Sequence, residues 1–220
     1  MTMQTVPTFK LRRGRVTPTQ ASALARLWPR LGVAVDGSPL RLAEVFGRAA
    51  PVVLEVGFGM GEATWQMAAA DPETDVLGVD VHTPGIGNLL KLVEAHGLTN
   101  VRVADGDALM VLRDMLGDAA LAEVRVFFPD PWPKTRHAKR RLVTAGFSDL
   151  VAGRLAPGGR LHIATDCAAY ASRVRRTLAA HEDFSLLPEG DVPPRPVTRF
   201  EQQAFDAGRS SYDVVARRSA

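Results

Sequence analysis

The chain has 220 residues, 46% hydrophobic and 23% charged, with a formal net charge of +3, a length that suits one large domain with its own core. No apolar run approaches the roughly 18 residues of a membrane span, and the basic N-terminus MTMQTVPTFKLRRGR lacks the apolar segment of a secretory signal. The single Cys167 excludes an internal disulfide and a cysteine metal cluster, so the expectation is a reducing, cytoplasmic setting with no membrane and no metal partner.

Residues 1–20 read as extended and mobile, punctuated by Pro7, Gly14 and Pro18, and carry a basic cluster of Lys10, Arg12, Arg13 and Arg15. Spaced apolar positions (Leu24 and Leu27, then Leu42, Val45 and Phe46) predict short helices over 21–31 and 40–49. Residues 1–50 are thus an arm with short helices rather than an independent domain, and 51–220 are the main domain. There PVVLEV predicts a buried strand, GFGMG a turn and EATWQMAAA a helix. VLGVDV is a second strand, followed by a helix over 86–96. NVRVA is a third, followed by a helix over 107–116, and EVRVFF is a fourth. Beyond a basic segment come a helix through Phe147 and Leu150, GRLHIAT as a fifth strand, and a helix over 167–180. Weaker strand signals at 184–187 and 212–217 complete seven. The proline-rich stretch 187–200 reads as one extended loop. Apolar strands alternating with helices imply a doubly wound α/β domain: a mostly parallel seven-stranded, Rossmann-like sheet with an N-terminal helical extension. Such sheets bind ligands outside the carboxyl ends of their strands.

Three motifs sit at those ends. In LEVGFGMGE, Gly57, Gly59 and Gly61 permit positive φ and close backbone approach to a ligand, although a tight turn without a ligand uses glycine too. Glu55 would repel a dinucleotide pyrophosphate and would welcome the cationic end of S-adenosylmethionine (SAM). Asp80 closes the second strand 23 residues after Gly57, a spacing at which an acid meets ribose hydroxyls. After the third strand, Asp107 is placed to accept from an adenine amino group. Asp105 and Asp107 also suit helix N-caps, and that reading is preferred for Asp105. Acids at three successive strand ends favour SAM over NAD.

The last motif is FFPDPWPKTRHAKRRLV, residues 127–143. Its prolines fix φ and remove backbone donors, which makes a stiff turn around Asp130 and Trp132. Trp132 suits a core aromatic and a base-stacking surface equally. Lys134, Arg136, Lys139, Arg140 and Arg141 follow as the densest positive run. With the N-terminal cluster and a third of Arg173, Arg175 and Arg176, they point to a polyanionic partner.

The stretches LEVGFGMGE, GVDVHTPGIGNLL, DGDAL, FFPDPWPKTRHAKRRLV, LAPGGRLHIATD and RPVTRFEQ span residues 54–202. Together they resemble the bacterial tRNA (guanine-N7-)-methyltransferases, the TrmB family of class I enzymes. The resemblance implies SAM-dependent methylation of N7 of guanine 46 in the tRNA variable loop. It implies Glu55, Asp80, Asp107 and Asp130 at the cofactor, with Asp130 catalytic. It implies Lys134, Asp166, Thr198, Arg199, Phe200 and Glu201 at the substrate. Arg136, Lys139, Arg140 and Arg141 would then grip the RNA backbone, and the N-terminal cluster would add a clamp that orders on tRNA. Two departures stand out: Asp80 where the family usually has glutamate, and Gln203-Ala204 where it usually has Arg-Gly. The competing readings are a methyltransferase of another nucleobase, a protein or a small molecule, and a SAM- or nucleotide-sensing RNA-binding module without turnover. An NAD-dependent oxidoreductase is disfavoured by Glu55 and the basic segment. Oligomeric state stays open between monomer and homodimer.

Overall fold

The computed structural model describes residue 8 and residues 14–219. Lys10, Arg12 and Arg13, and with them the expected clamp, lie outside the described residues. Helix α1 (Pro18–Leu31) opens on a capping box in which Thr17 and Gln20 satisfy each other's backbone N–H groups, with Pro18 preset at the first position. It therefore starts three residues before the expected helix. Its buried Ala23, Leu27 and Leu31 recur every four residues and form one stripe.

The chain continues with β1 (Gly32–Ala34), α2 (Leu42–Phe46), β2 (Val52–Val56), α3 (Glu62–Ala70), β3 (Asp75–Asp80), α4 (Thr83–Ala95) and β4 (Val101–Asp105). The short α5 (Ala108–Met110) runs into a π turn, Val111–Met115. Then come β5 (Leu121–Phe127), a 3-10 turn (Thr135–Arg140), α6 (Ala145–Arg154), β6 (Leu155–Thr165), α7 (Ala168–Ala179), β7 (Phe184–Leu186), a 3-10 turn (Glu189–Asp191), α8 (Arg199–Asp206) and β8 (Tyr212–Arg218).

The sheet order is β1-β4-β3-β2-β5-β6-β8-β7. Pairing is parallel from β1 to β6, and β8 runs antiparallel to both its neighbours. The doubly wound, mostly parallel sheet is as expected, with eight strands among the described residues rather than seven. The additional strand is β1, whose Gly32–Ala34 pair with Val103–Asp105 of β4. Three residues headed by glycine carry too little alternation to announce a strand.

Side chains alternate across each strand. On one face Leu54, Val126 and Ile163 pack with Phe46 of α2, Leu112, Phe147 of α6 and Val174 of α7. On the other, Val53 and Val76 pack with Leu27 of α1, Ala68 of α3 and Leu89 and Leu90 of α4. Burying each such leucine contributes about 1.5–3 kcal/mol. Helix α8 interrupts the stretch expected to be extended through residue 200. Thr198 Oγ1 accepts from Glu201 N at 3.1 Å, and Glu201 Oε2 accepts from Thr198 N at 3.3 Å. This second capping box starts a helix directly behind the prolines. No helix of the described residues is long and apolar enough to cross a membrane.

Candidate active site

A cavity of 510 Å³ opens at the carboxyl ends of β2, β3, β4 and β5, within the range of small-molecule sites. The loop after β2 forms its floor. Gly59 and Gly61 have φ of 61° and 80°, and a Cβ on Gly61 would lie 2.8 Å from Leu89, so only glycine suits this path. Gly59 N donates to Asp80 Oδ2 at 2.8 Å, while Val81 N and His82 N donate to Asp80 Oδ1 at 2.7 and 2.9 Å. Asp80 thus ties the loop after β2 to the loop after β3. Burial raises its pKa, and these three N–H groups oppose the rise. Gly85 of α4 completes the packing, because a Cβ there would fall 1.9 Å from Gly59 O.

Glu55 lies at the inner end of the cavity and is 2% exposed. Thr64 Oγ1 of α3 donates to its Oε1 at 3.0 Å, while Oε2 is buried with no hydrogen-bond partner. Burial pushes the Glu55 carboxyl up to about 7, against the pull of Arg125. Asp107 lines the cavity and accepts from Leu109 N at 2.9 Å, so Asp107 rather than Asp105 caps α5. Asp105 ends β4 exposed.

The opposite wall is Phe127, Phe128, Pro129, Asp130 and Leu142, joined by Thr198, Arg199, Phe200 and Gln203 around the start of α8. Phe128 and Trp132 have φ of 52° and 43°, a strained conformation for residues with side chains. Trp132 does not line the cavity. It is 7% exposed, its Nε1 donates to Thr8 O at 3.4 Å, and its ring lies beneath the Arg140 guanidinium at 4.9 Å and beside His137 at 5.5 Å. Trp132 therefore pins the turn. Phe200, at 44% exposure, is the solvent-exposed one of the aromatics that line the cavity.

A family model described as "Putative methyltransferase" matches residues 49–214. The "tRNA (guanine-N(7)-)-methyltransferase" of Streptomyces avermitilis is 54% identical over 218 residues, which cover 97% of this chain and 75% of that protein. The chain belongs to the tRNA (guanine-N7-)-methyltransferase family. The same-named protein of Streptomyces coelicolor is also 54% identical, over 97% of this chain and 81% of its own. A solved structure titled "Structure of an antibiotic related Methyltransferase" superposes with a TM-score of 0.54 at 17% identity, covering 80% of this chain and 91% of that one. That likeness identifies the fold as the Rossmann-like methyltransferase fold.

Within this methyltransferase the cavity brings together Glu55, Gly57, Gly59, Asp80, Asp107, Asp130, Thr198, Arg199 and Phe200, with Gly61 capping α3 just behind. It does not bring in Glu201, Asp166 or Lys134. Glu201 is 5% exposed, and its carboxylate accepts from Arg195, Ser211 and Thr198. Asp166 accepts from Arg209 Nε at 3.1 Å, and Lys134 is exposed before the 3-10 turn. Arg136, Lys139 and Arg140 are exposed, but Arg141 turns inward. Its guanidinium donates to Pro131 O at 3.1 Å and to Trp132 O at 2.9 Å. Prolines remove donors yet keep their carbonyls, so this turn recruits a side-chain donor. Sequence reasoning missed the lining residue His82, the Thr64 support of Glu55, and Gly85, and named Gln203 only as a departure from the family pattern. Only Gly85 left a readable signal, as a glycine inside a helical pattern.

Proposed function

We propose that this methyltransferase uses SAM to methylate N7 of a guanine in the tRNA variable loop, at position 46. The observation that carries the cofactor reading is the buried, unpartnered Oε2 of Glu55 on the cavity. A cationic amino-acid head gives that oxygen its missing donor, whereas a pyrophosphate would be repelled. Gly57, Gly59 and Gly61 let the backbone approach closely. Asp80 uses three of about four acceptor positions on the loops, which leaves one for a ribose hydroxyl. Asp107 has a second oxygen for an adenine amino group. When bound, SAM supplies a methyl group on a cationic sulfur.

Guanine N7 carries a lone pair and no proton, so no general base is required. Orientation of the two reactants can contribute about 7–11 kcal/mol. Asp130 orients the guanine by accepting from its N–H groups, and its charge stabilises the cationic ring that forms. Phe200 stacks the base, a contact worth about 1–3 kcal/mol. Arg199 flanks it. Thr198 and Glu201 act by holding α8, and Arg141 by holding the turn. Lys134, Arg136, Lys139 and Arg140 take phosphates outside the cavity. Residues 51–220 carry this chemistry, with 1–50 as an extension, and a tRNA substrate supports a cytoplasmic site of action.

Transfer of labelled methyl from SAM to unmodified tRNA, with mapping of the modified base, tests the reading. Asp130→Ala should lower turnover about a hundredfold or more while SAM still binds. Near-normal turnover in that variant refutes the role of Asp130. Label on another base refutes the guanine assignment.

A further inference from the structure

The proline-rich stretch before α8 holds one buried cation where three parts of the fold meet. The Arg195 side chain is 6% exposed. Its Nε and Nη2 donate to Asp213 Oδ1 and Oδ2 at 2.7 and 3.0 Å. Its Nη1 and Nη2 donate to Glu201 Oε2 and Oε1 at 2.5 and 2.9 Å. The same guanidinium lies 5.3 Å from the Phe127 ring centroid and 5.4 Å from that of Phe128. Asp213 is itself held by His162 Nε2 at 2.7 Å, on a histidine that is 1% exposed.

Two of these contacts lead to the cavity, and the third fixes them to the sheet. Phe127 and Phe128 line the cavity and run directly into Pro129 and Asp130. Glu201 closes the capping box of Thr198, and Thr198, Arg199 and Phe200 form the facing wall. Asp213 belongs to β8, paired opposite Ala164 of β6.

We propose that Arg195 is a positioning residue for methyl transfer: its fork between Asp213 and Glu201 sets the spacing of the Asp130 turn and the Phe200 end of α8. This rests on the roles given above to Asp130 and Phe200. The geometry calls for arginine. A planar guanidinium serves two carboxylates side by side and stacks on rings, while an ammonium is a point charge that does neither. A buried ion pair is weak support for stability, because desolvation offsets its attraction. Fixing one arrangement of neighbouring parts is the better-founded use.

The test uses the full chain with Arg195→Lys, Asp213→Asn and Phe200→Ala. Measured are kcat and KM for unmodified tRNA, SAM affinity by calorimetry, and folding by circular dichroism. Arg195→Lys should fold, bind SAM as the parent does, and lose about a hundredfold in kcat, the scale of a 1 Å misplacement. Asp213→Asn, which keeps the side chain's shape outside the cavity lining, should change kcat in the same direction. In the double variant, the Arg195→Lys and Phe200→Ala losses should be less than additive, because one acts through the other. Parent-like kcat in folded Arg195→Lys overturns the proposal, as do additive losses. Where Arg195→Lys fails to fold, parent-like kcat in Asp213→Asn overturns it. If Asp130→Ala and Phe200→Ala themselves leave turnover intact, the reading of the cavity has failed. If they impair turnover and Arg195→Lys does not, only the positioning role has failed.

Discussion

Glu55 is an acid held where water does not reach, and its replacement by glutamine makes a quantitative test. Burial raises the carboxyl from 4.5 to about 7. Between those values the folded chain binds a proton that the unfolded chain releases. The resulting stability is complete below about pH 4.5 and is lost as pH rises through about 7. At about 1.4 kcal/mol per pKa unit, the loss amounts to about 3 kcal/mol. Glu55→Gln removes the titration while keeping an acceptor for Thr64 Oγ1. Parent and variant should be similar near pH 5. Near pH 8.5 the variant should be the more stable by about 3 kcal/mol, or roughly 6–12 °C in Tm for a chain of this size. Urea or thermal unfolding at the two pH values measures the gap. Adding SAM should reverse the order at high pH, because only the carboxylate gains an ionic partner and bound ligand stabilises by mass action. A gap that does not widen with pH, or a variant less stable than the parent at pH 8.5, refutes the reasoning.

Two further outcomes follow from the geometry. Gly85→Ala would drive a methyl group into Gly59 O, which a Cβ approaches to 1.9 Å, so SAM affinity should fall about tenfold or more. Gly117→Ala, with no atom within 4 Å, is the control, and equal SAM affinities in calorimetry would contradict the loop packing. Lys139→Gln should reduce the slope of log tRNA affinity against log salt by about 0.7–0.9, one phosphate's share. Arg141→Gln should leave that slope unchanged and lower turnover instead, since its guanidinium holds carbonyls of the turn. Equal slope changes in the two variants would contradict their different placement.

The parts of the site legible in the sequence are those whose chemistry is local. Glu55 and the three glycines occupy one seven-residue stretch that runs from the end of β2 into its loop, and Asp80, Asp107 and Asp130 lie at or just beyond the ends of strands whose apolar runs are plain. What was not legible depends on how neighbouring segments fold back on one another. Glu201 reads as a substrate acid until Arg195 and Ser211 are found against it. A charge run treats all its arginines alike, yet Arg141 is drawn inward by carbonyls that the prolines leave unpaired. Trp132 could not be decided from composition, because its burial comes from Arg140, His137 and the carbonyl of Thr8. Helix α8 was hidden because its capping box sits inside a stretch whose prolines signal extension.

The strand β1 has a bearing on solubility as well as on architecture. Without it, β4 would be the outermost parallel strand, and Val101–Asp105 would offer bare N–H and C=O groups to any passing chain. With it, both borders of the sheet are strands of three residues, β1 and β7, too brief to template a foreign strand. Every acid of the cavity lies beyond residue 50. A version trimmed there would keep those acids but bare the edge of β4, so the extension acts as a guard rail on the sheet as well as a part of its core.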